Sequence, residues 1–281
     1  MDDNVLLIVG NGFDLSLGLK TSYVQFMESS FFPKAGTSSL CSFLRKQYRK
    51  NMGWIDIEKE LANYSQLITR INPSTINENE RWGAETFRRE YDELKLSLKR
   101  YLDSVMHNTR HVNDDSYAMY VLNKLGYGSK IISFNYTDTI ERLKRNTYSM
   151  ANGNLLHIHG ALTPPDDIVF GVEDTAELPK EHVFLYKAYS PNKNTREFTQ
   201  WLYEADKIIF FGYSLGDTDR QYFLKYFSTL SESDQHDMDI DFYYYGRSAY
   251  DNLKWQLQML TSSHLSLFEM YNHIEFIDCS E

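Results

Sequence analysis

The feature that most constrains the fold is an apolar run that ends abruptly at two glycines. Val5-Leu6-Leu7-Ile8-Val9 is followed at once by Gly10-Asn11-Gly12. Five consecutive apolar residues, several of them branched at Cβ, are typical of a strand that is buried on both faces of a parallel sheet. Glycines directly after it indicate a tight turn that lets a ligand approach the backbone. Apolar periodicity up to Gly18 predicts a short helix next, which gives the order strand, glycine turn and helix.

This corner leaves two interpretations open. A helix N-terminus beside the carboxyl end of a central strand is a favourable place for a phosphate group. The glycine spacing differs from that of ordinary dinucleotide-binding folds, because Gly10 and Gly12 are followed by a third glycine only at Gly18. The motif alone therefore fits a phosphate-binding turn or a tight structural turn without a ligand.

Composition and charge exclude several classes of protein. The 281 residues carry a net charge of −10, which argues against binding bulk nucleic acid. The only cysteines, Cys41 and Cys279, cannot form a four-thiolate zinc site and indicate no disulfide framework. Met1-Asp2-Asp3-Asn4 leads straight into the first strand, so we expect no signal peptide. No apolar run approaches the roughly 20 residues that span a membrane, so we expect a soluble cytoplasmic protein.

A long helical region separates the first strand from the next strand signal. Two apolar stripes repeat at helical spacing, and they consist of Ile57, Leu61, Tyr64, Ile68 and Ile71, and of Phe87, Tyr91, Leu94, Leu98, Tyr101, Leu102 and Val105. Such stripes are typical of helices packed in a layer. We therefore predict one α/β domain over residues 1–281 with a helical insertion over residues 24–125.

Strands resume after this region and alternate with helical segments. The predicted strands are Ile131–Phe134, Leu155–Gly160, Ile168–Val172, Lys207–Phe211 and Ile240–Tyr245, with short ones around Leu265–Phe268 and Ile274–Ile277. Alternation of strands and helices favours a Rossmann-like, doubly wound and mostly parallel sheet.

Polar residues and glycines end four of these strands. They are Gly10-Asn11-Gly12, Asn135, His159-Gly160 and Gly212-Tyr213-Ser214. The carboxyl ends of parallel strands meet at one edge of a sheet, where open α/β folds bind their ligands. The sequence therefore predicts a ligand site at this edge.

Two further groups near these strand ends have side chains that could take part in chemistry. His157 and His159 are two residues apart on a predicted strand and would share one face of it, which would suit a metal pair. No third ligand has a suitable spacing, so we predict no metal site. Asp217 and Asp219 follow Gly216 and could be catalytic carboxylates. Their position at a helix start favours a capping role for both.

The chain resembles the AbiH-like abortive-infection proteins of bacteria. The resemblance runs from Val5 to about Asp219 and keeps both order and spacing. It rests on Gly10-Asn11-Gly12-Phe13-Asp14, Thr21-Ser22-Tyr23, Trp54 with Asp56 and Glu58, Ser133-Phe134-Asn135-Tyr136-Thr137, His157-Ile158-His159-Gly160, Phe170-Gly171 and Phe211-Gly212-Tyr213-Ser214-Leu215-Gly216-Asp217-Thr218-Asp219. It implies a role in phage defence, in which infection would release the activity and deplete NAD. A phage-derived trigger and a second copy of the chain in a homo-oligomer are the candidate macromolecular partners.

A more distant resemblance is to the sirtuin-like NAD-binding fold. The opening glycine motif of the sirtuins lies over Gly10, Asn11, Gly12, Asp14 and Gly18. Their catalytic asparagine lies over Asn135, and their catalytic histidine-glycine lies over His159-Gly160. Their phenylalanine-glycine-glutamate lies over Phe170, Gly171 and Val172, and their later glycine-threonine-serine-leucine lies over Gly212, Tyr213, Ser214 and Leu215. The resemblance implies NAD as substrate or ligand. The residues implied to bind it are Gly10, Asn11, Gly12, Phe13, Thr21, Asp138, Gly212, Ser214, Leu215 and Gly246.

The departures from the sirtuin pattern restrict the activity. The aspartate that meets nicotinamide falls on Thr137, with Asp138 one residue late, and the arginine after the cofactor loop falls on Tyr23. The zinc cysteines are missing, so deacetylation of acyl-lysine peptides is not expected. Cleavage of NAD at its glycosidic bond needs no general acid, because the leaving group is already a cationic pyridinium.

The implied catalytic residues are Asp14, Asn135 and His159. Asp14 would stabilise positive charge on the ribose, Asn135 would position the ribose and the water, and His159 would act as base. Each has a structural alternative: a helix cap for Asp14, satisfaction of buried backbone groups for Asn135, and a structural histidine for His159. We therefore expect NAD hydrolysis, with a non-catalytic nucleotide sensor or an ADP-ribosyl transferase as the alternatives. Gly12→Val is expected to abolish NAD binding while leaving the sheet intact.

Overall fold

The computed structural model describes residues 4–34, 36–53, 55–71, 79–109, 111–144, 154–164, 166–189, 195–232 and 237–280. Trp54, which contributes to the first resemblance, lies outside the described residues. The strands are β1 Val5–Val9, β2 Lys130–Ser133, β3 Leu155–His157, β4 Lys207–Phe211, β5 Asp239–Tyr244 and β6 His273–Asp278. The helices are α1 Asn11–Ser16, α2 Tyr23–Glu28, α3 Ser39–Lys50, α4 Ile57–Ile71, α5 Asn79–Asn108, α6 Tyr117–Lys124, α7 Thr139–Lys144, α8 Thr195–Glu204, α9 Arg220–Leu230, α10 Gly246–Leu260 and α11 Leu265–Tyr271.

The strands form one parallel sheet in the order β3-β2-β1-β4-β5-β6. This is the strand order of the Rossmann fold, so the predicted fold class is confirmed. The order reverses between β1 and β4, which is the point where open α/β sheets leave a crevice at the carboxyl ends of their strands. The apolar run Val5–Val9 lies in the middle of the sheet, and its last four residues are buried.

Contacts divide the chain into two compact units. The first unit comprises Met1–Leu19, Thr109–Asp166 and Asn194–Glu281, and it contains the whole sheet. Its core consists of branched and aromatic residues from the strands and from α8 to α11, such as Ile208, Phe210 and Phe223. The domain organisation stated above, one domain with an insertion over residues 24–125, stays a prediction.

The second unit comprises Lys20–Asn108 and Asp167–Lys193 and is built from α2 to α5 with two 3-10 segments, Lys180–Leu185 and Lys187–Tyr189. The predicted stripe on α5 is buried at Phe87, Tyr91, Leu94, Leu98, Tyr101 and Leu102. A buried lysine joins the parts of this unit, because Lys187 Nζ lies 3.0 Å from Glu58 Oε2 and 3.5 Å from Glu173 Oε1.

Two predicted strands are wrong. Ile168–Val172 forms no strand, and Val172 makes only an isolated bridge to Tyr186. The run is nonetheless buried because its backbone bonds to the first 3-10 segment, with Val172 N–H donating to the Leu185 carbonyl at 2.8 Å. Leu265–Phe268 begins the helix α11. Short apolar runs do not separate buried strands from other buried segments.

Within the described residues, the structure contains no helix that is both long and apolar enough to cross a membrane.

Candidate active site at the carboxyl edge of the sheet

Strand register brings the predicted site segments together. Val9 is paired with Ser133 of β2 and with Phe211 of β4. The residues that follow these three strands must therefore emerge side by side, which places Gly10 between Phe134 and Gly212. Ser133 is in turn paired with His157 of β3, so the segment after β3 lies next to the segment after β2.

The first glycine turn is packed directly against the fourth strand end. Gly12 N–H donates to the Gly212 carbonyl at 2.9 Å. A Cβ added to Gly12 would lie 2.5 Å from Gly212 Cα, and one added to Gly212 would lie 2.4 Å from Gly12 Cα. Gly212 also has a φ of +57°, a region that favours glycine. The expectation that a larger residue at position 12 would leave the sheet intact is therefore wrong, because its side chain would meet backbone.

Backbone donors of this turn are already engaged inside the protein. Gly10 N–H donates to the Phe211 carbonyl at 3.1 Å, and Phe13 N–H donates to the Gly10 carbonyl at 2.9 Å. Together with the Gly12 bond, these contacts occupy three of the N–H groups at this corner, where a helix N-terminus would otherwise offer them to a phosphate. A phosphate bound near β1 would have to be held by other groups.

Asp14 is a buried carboxylate on α1, with 1% of its surface exposed. Thr137 donates its hydroxyl proton to Asp14 Oδ2 at 2.6 Å, while Asp14 Oδ1 has no hydrogen-bond partner among the described residues. Burial raises the pKa of Asp14 from 3.8 to about 6, against the opposing effect of hydrogen bonds from Thr137, Thr139 and Asn135. Asp14 does not cap α1, since the cap position is Gly10 and no side chain bonds there.

Asn135 follows β2 and connects to the turn after β1. Its Nδ2 donates to the Gly10 carbonyl at 3.0 Å, and its backbone N–H donates to Ser133 Oγ at 3.2 Å. Its side chain thus satisfies a buried backbone carbonyl, as the structural alternative expected. The residue is 9% exposed.

The two histidines have separate partners. His157 Nε2 lies 2.7 Å from Glu141 Oε1, and His157 Nδ1 lies 3.3 Å from the Asn135 carbonyl oxygen. Burial alone would lower the pKa of His157, but the hydrogen bond and charge of Glu141 outweigh it, so the pKa of His157 is raised. The strand ends at His157, so the two histidines do not share a strand face as the alternation suggested.

His159 is paired with an aspartate from the segment after β4. His159 Nε2 lies 2.9 Å from Asp219 Oδ1, and the two residues are 5% and 8% exposed. The His159 ring packs edge-on against Phe134, with centroids 5.3 Å apart. Asp219 occupies the N-cap position of α9, but its side chain makes no capping hydrogen bond there. The predicted capping role of Asp219 is therefore wrong.

The other predicted ligand-binding residues are spread more widely. Asn11 begins α1, and Phe13 is a core residue with its ring edge-on to Phe211. Asp138 pairs with Arg142 at 2.9 Å. Ser214 is exposed, and Leu215 is buried with a φ of 51°. The Gly246 N–H donates to Asp278 Oδ1 at 2.9 Å. Thr21 belongs to the second unit.

Sequence reasoning missed two residues of this site. Thr137 bonds Asp14 from 123 positions away, and no local pattern in the sequence indicates this pairing. Asp219 lies at a helix start in the sequence, but its partner His159 follows a different strand. Their polar character was visible in the sequence, whereas the pairing depends on strand order.

The assembled groups offer a defined chemistry. A buried carboxylate with one unpaired oxygen favours a nearby positive charge, because the low dielectric of the interior strengthens the attraction. A histidine held by a carboxylate is suited to accept a proton. The site therefore fits a reaction in which positive charge develops while a proton is removed.

A protein-family model described as "Bacteriophage abortive infection AbiH" matches residues 6–242. Comparisons with curated proteins and with solved structures found no match. The family match covers most of the chain, so the protein belongs to the AbiH family, and its membership indicates a part in abortive-infection defence against phage.

Proposed function

We propose that this member of the AbiH family binds NAD at the carboxyl edge of its sheet and hydrolyses it to ADP-ribose and nicotinamide during phage infection. The observation that carries the proposal is the buried Asp14 carboxylate, which has one unpaired oxygen and lies on the helix that follows the central strand. The Rossmann strand order supports a ligand at this edge, since open α/β sheets bind their ligands outside the carboxyl ends of their strands.

The proposed reaction needs no acid at the leaving group. Water attacks the ribose carbon of the glycosidic bond, the carbon–nitrogen bond breaks, and its electron pair neutralises the pyridinium nitrogen of nicotinamide. The ribose carbon carries positive charge as the bond breaks, and the Asp14 carboxylate stabilises that charge through the low-dielectric interior. The attacking water gives up a proton, for which His159 is the base.

Asn135 is the positioning group in this proposal. Its side chain is fixed by the bond to the Gly10 carbonyl and lies between the turn that carries Asp14 and the segment that carries His159. A fixed amide can orient the ribose and the water without reorganising during the reaction. The pyrophosphate would depend on side chains, because the N–H groups of Gly10, Gly12 and Phe13 bond within the protein.

A non-catalytic nucleotide sensor is the second candidate. The observation that favours it is the internal satisfaction of the site, since Asn135 and His159 both have protein partners. In that case the site would hold NAD or a signalling nucleotide without cleaving it. An ADP-ribosyl transferase would use the same chemistry with another acceptor in place of water.

The deciding experiment measures nicotinamide released from NAD by the purified protein, alone and with lysate from phage-infected cells. Asn135→Ala should keep NAD affinity by calorimetry and lose roughly 2–4 kcal/mol of transition-state stabilisation, the scale for one preorganised polar contact. Asn252→Ala, on the exposed face of α10, is the matched control and should change neither quantity. Binding without any release of nicotinamide would favour the sensor, and no binding of NAD would refute the proposal. Release that depends on an added protein acceptor would indicate the transferase.

A further inference from the structure

A buried aspartate that sits at a helix cap without capping is the starting observation. Asp219 precedes α9, where an aspartate side chain would ordinarily accept a hydrogen bond from a backbone N–H of the first turn. It makes no such bond, and its carboxylate lies 2.9 Å from His159 Nε2 instead. The Asp219 side chain is only 11% exposed, so its carboxylate contacts His159 while it is shielded from most solvent and makes no cap.

The contact determines where the histidine carries its proton. An ionised carboxylate only accepts hydrogen bonds, so the ring nitrogen facing it must be the protonated one. In the neutral ring a proton on Nε2 leaves Nδ1 as the acceptor nitrogen. The carboxylate would also stabilise the imidazolium that forms when Nδ1 takes up a proton.

We propose that Asp219 is a positioning residue that holds the proton of His159 on Nε2 and thereby makes Nδ1 the base toward the attacking water. This inference rests on the proposed function for its chemical step. In that step one water proton passes to Nδ1, the remaining hydroxyl oxygen bonds to the ribose carbon, and the glycosidic electron pair leaves with nicotinamide. The imidazolium then returns its proton to solvent.

The first readout is independent of activity. In protein labelled with ¹⁵N at histidine, long-range proton–nitrogen spectra report which ring nitrogen is protonated, and His159→Gln assigns the signal among the 8 histidines. Wild-type protein should show His159 in the Nε2-protonated form. Asp219→Asn should lose that preference, because an amide can present either its oxygen or its NH₂ group to Nε2. A wild-type ring protonated on Nδ1 would overturn the inference.

The second readout separates positioning from structure. Asparagine has the size of aspartate and can present its amide oxygen to His159 Nε2, so an Asp219 that only holds its segment in place would tolerate Asp219→Asn. We expect the variant to melt near the wild-type temperature while kcat for nicotinamide release falls by roughly 10–100-fold, the range for a group that orients another functional side chain, with KM within about twofold. Asp217→Asn, in the same loop and exposed, is the matched control and should change nothing.

The two readouts distinguish failure of the proposed function from failure of the positioning role of Asp219. If the wild-type protein releases no nicotinamide, the proposed function fails, and the tautomer of His159 still decides the role of Asp219. If nicotinamide is released and Asp219→Asn retains both full kcat and the Nε2 proton, the positioning role is refuted while the proposed function stands. Should the asparagine variant not fold, Asp219→Glu tests the same contact with the charge retained. Asp219→Ser, which removes the carboxylate, is compared with it: an Nε2 proton and full kcat kept by the glutamate variant and lost by the serine variant support the positioning role, and both kept by the serine variant overturn it.

Discussion

The buried Asp14 carboxylate should make the protein less stable as the pH rises. Burial raises the pKa of Asp14 from 3.8 to about 6 in the folded state. Between these values the folded state holds a proton that the unfolded chain has lost, so the free energy of unfolding falls as pH increases. The decrease begins near pH 4 and is complete a little above pH 6. Its size is roughly 3 kcal/mol, because a change of one in pKa corresponds to about 1.4 kcal/mol.

Asp14→Asn removes this titration while keeping the shape of the side chain. An asparagine oxygen can still accept the hydroxyl of Thr137, so the main hydrogen bond survives. The free energy of unfolding of the variant, minus that of wild type, should therefore increase by roughly 3 kcal/mol between pH 4 and pH 7. Urea unfolding followed by near-ultraviolet circular dichroism at half-unit pH steps measures this difference.

Taking the difference cancels other titrating groups. Asp56, whose pKa burial also raises to about 6, is present in both proteins and contributes equally. Asp114→Asn, which alters an exposed carboxylate of the same unit, is the matched control and should show a flat difference. A flat difference for Asp14→Asn as well would refute the reasoning, because it would mean that Asp14 ionises in the folded protein as it does in the unfolded chain.

Two further predictions test the neighbouring contacts. Gly12→Ala places a Cβ 2.5 Å from Gly212 Cα and should cost roughly 1–3 kcal/mol by overpacking, measured by urea unfolding. Gly128→Ala, where a Cβ meets open space, is its control, and equal stability of the two variants would contradict the tight backbone contact. Glu141→Gln should lower the pKa of His157, because the hydrogen bond and charge of Glu141 raise it. The raised pKa stabilises the folded state at acidic pH, and this stabilisation is lost as pH rises through the folded value, so Glu141→Gln should destabilise the protein at pH 5.5 and not at pH 8.5. An unchanged histidine titration by NMR would contradict this.

Much of the sheet was predictable because buried parallel strands have a simple sequence pattern. The runs at Val5–Val9, Ile131–Phe134, Lys207–Phe211 and Ile240–Tyr245 are rich in apolar residues and end at glycine or polar residues. The run at Ile168–Val172 has the same pattern but bonds to a 3-10 segment, so it forms no strand. Whether a run finds a ladder partner is a tertiary property that periodicity does not contain.

The candidate site was predictable in its location and not in its pairings. Strand ends that carry Gly10, Asn135 and Gly212 do converge at one edge, as parallel register requires. The bond between His159 and Asp219 joins the segments after β3 and β4, which are not neighbours in the sheet. The capping role predicted for Asp219 is the commonest local role of an aspartate at a helix start, and the partner that replaces it is not visible in the local sequence.

The close packing of Gly12 on Gly212 restricts where chemistry can occur at this edge of the sheet. It fills the gap between β1 and β4 with backbone, at the point where the strand order reverses. The polar groups gather instead on the side of β1, β2 and β3, where Asp14, Asn135 and His159 follow the strand ends.

Stability alone does not account for a carboxylate at position 14. An ionised Asp14 lowers stability at neutral pH by roughly 3 kcal/mol, and an isosteric neutral residue would avoid that loss while keeping the hydrogen bond to Thr137. Groups that reduce stability in this way are concentrated at functional sites, where a perturbed pKa is matched to a chemical task. Stabilising a positive charge that develops during a reaction is such a task, and a fixed negative charge nearby can perform it. The cost of burying Asp14 is therefore an argument for a reaction through a cation, independent of which substrate supplies it.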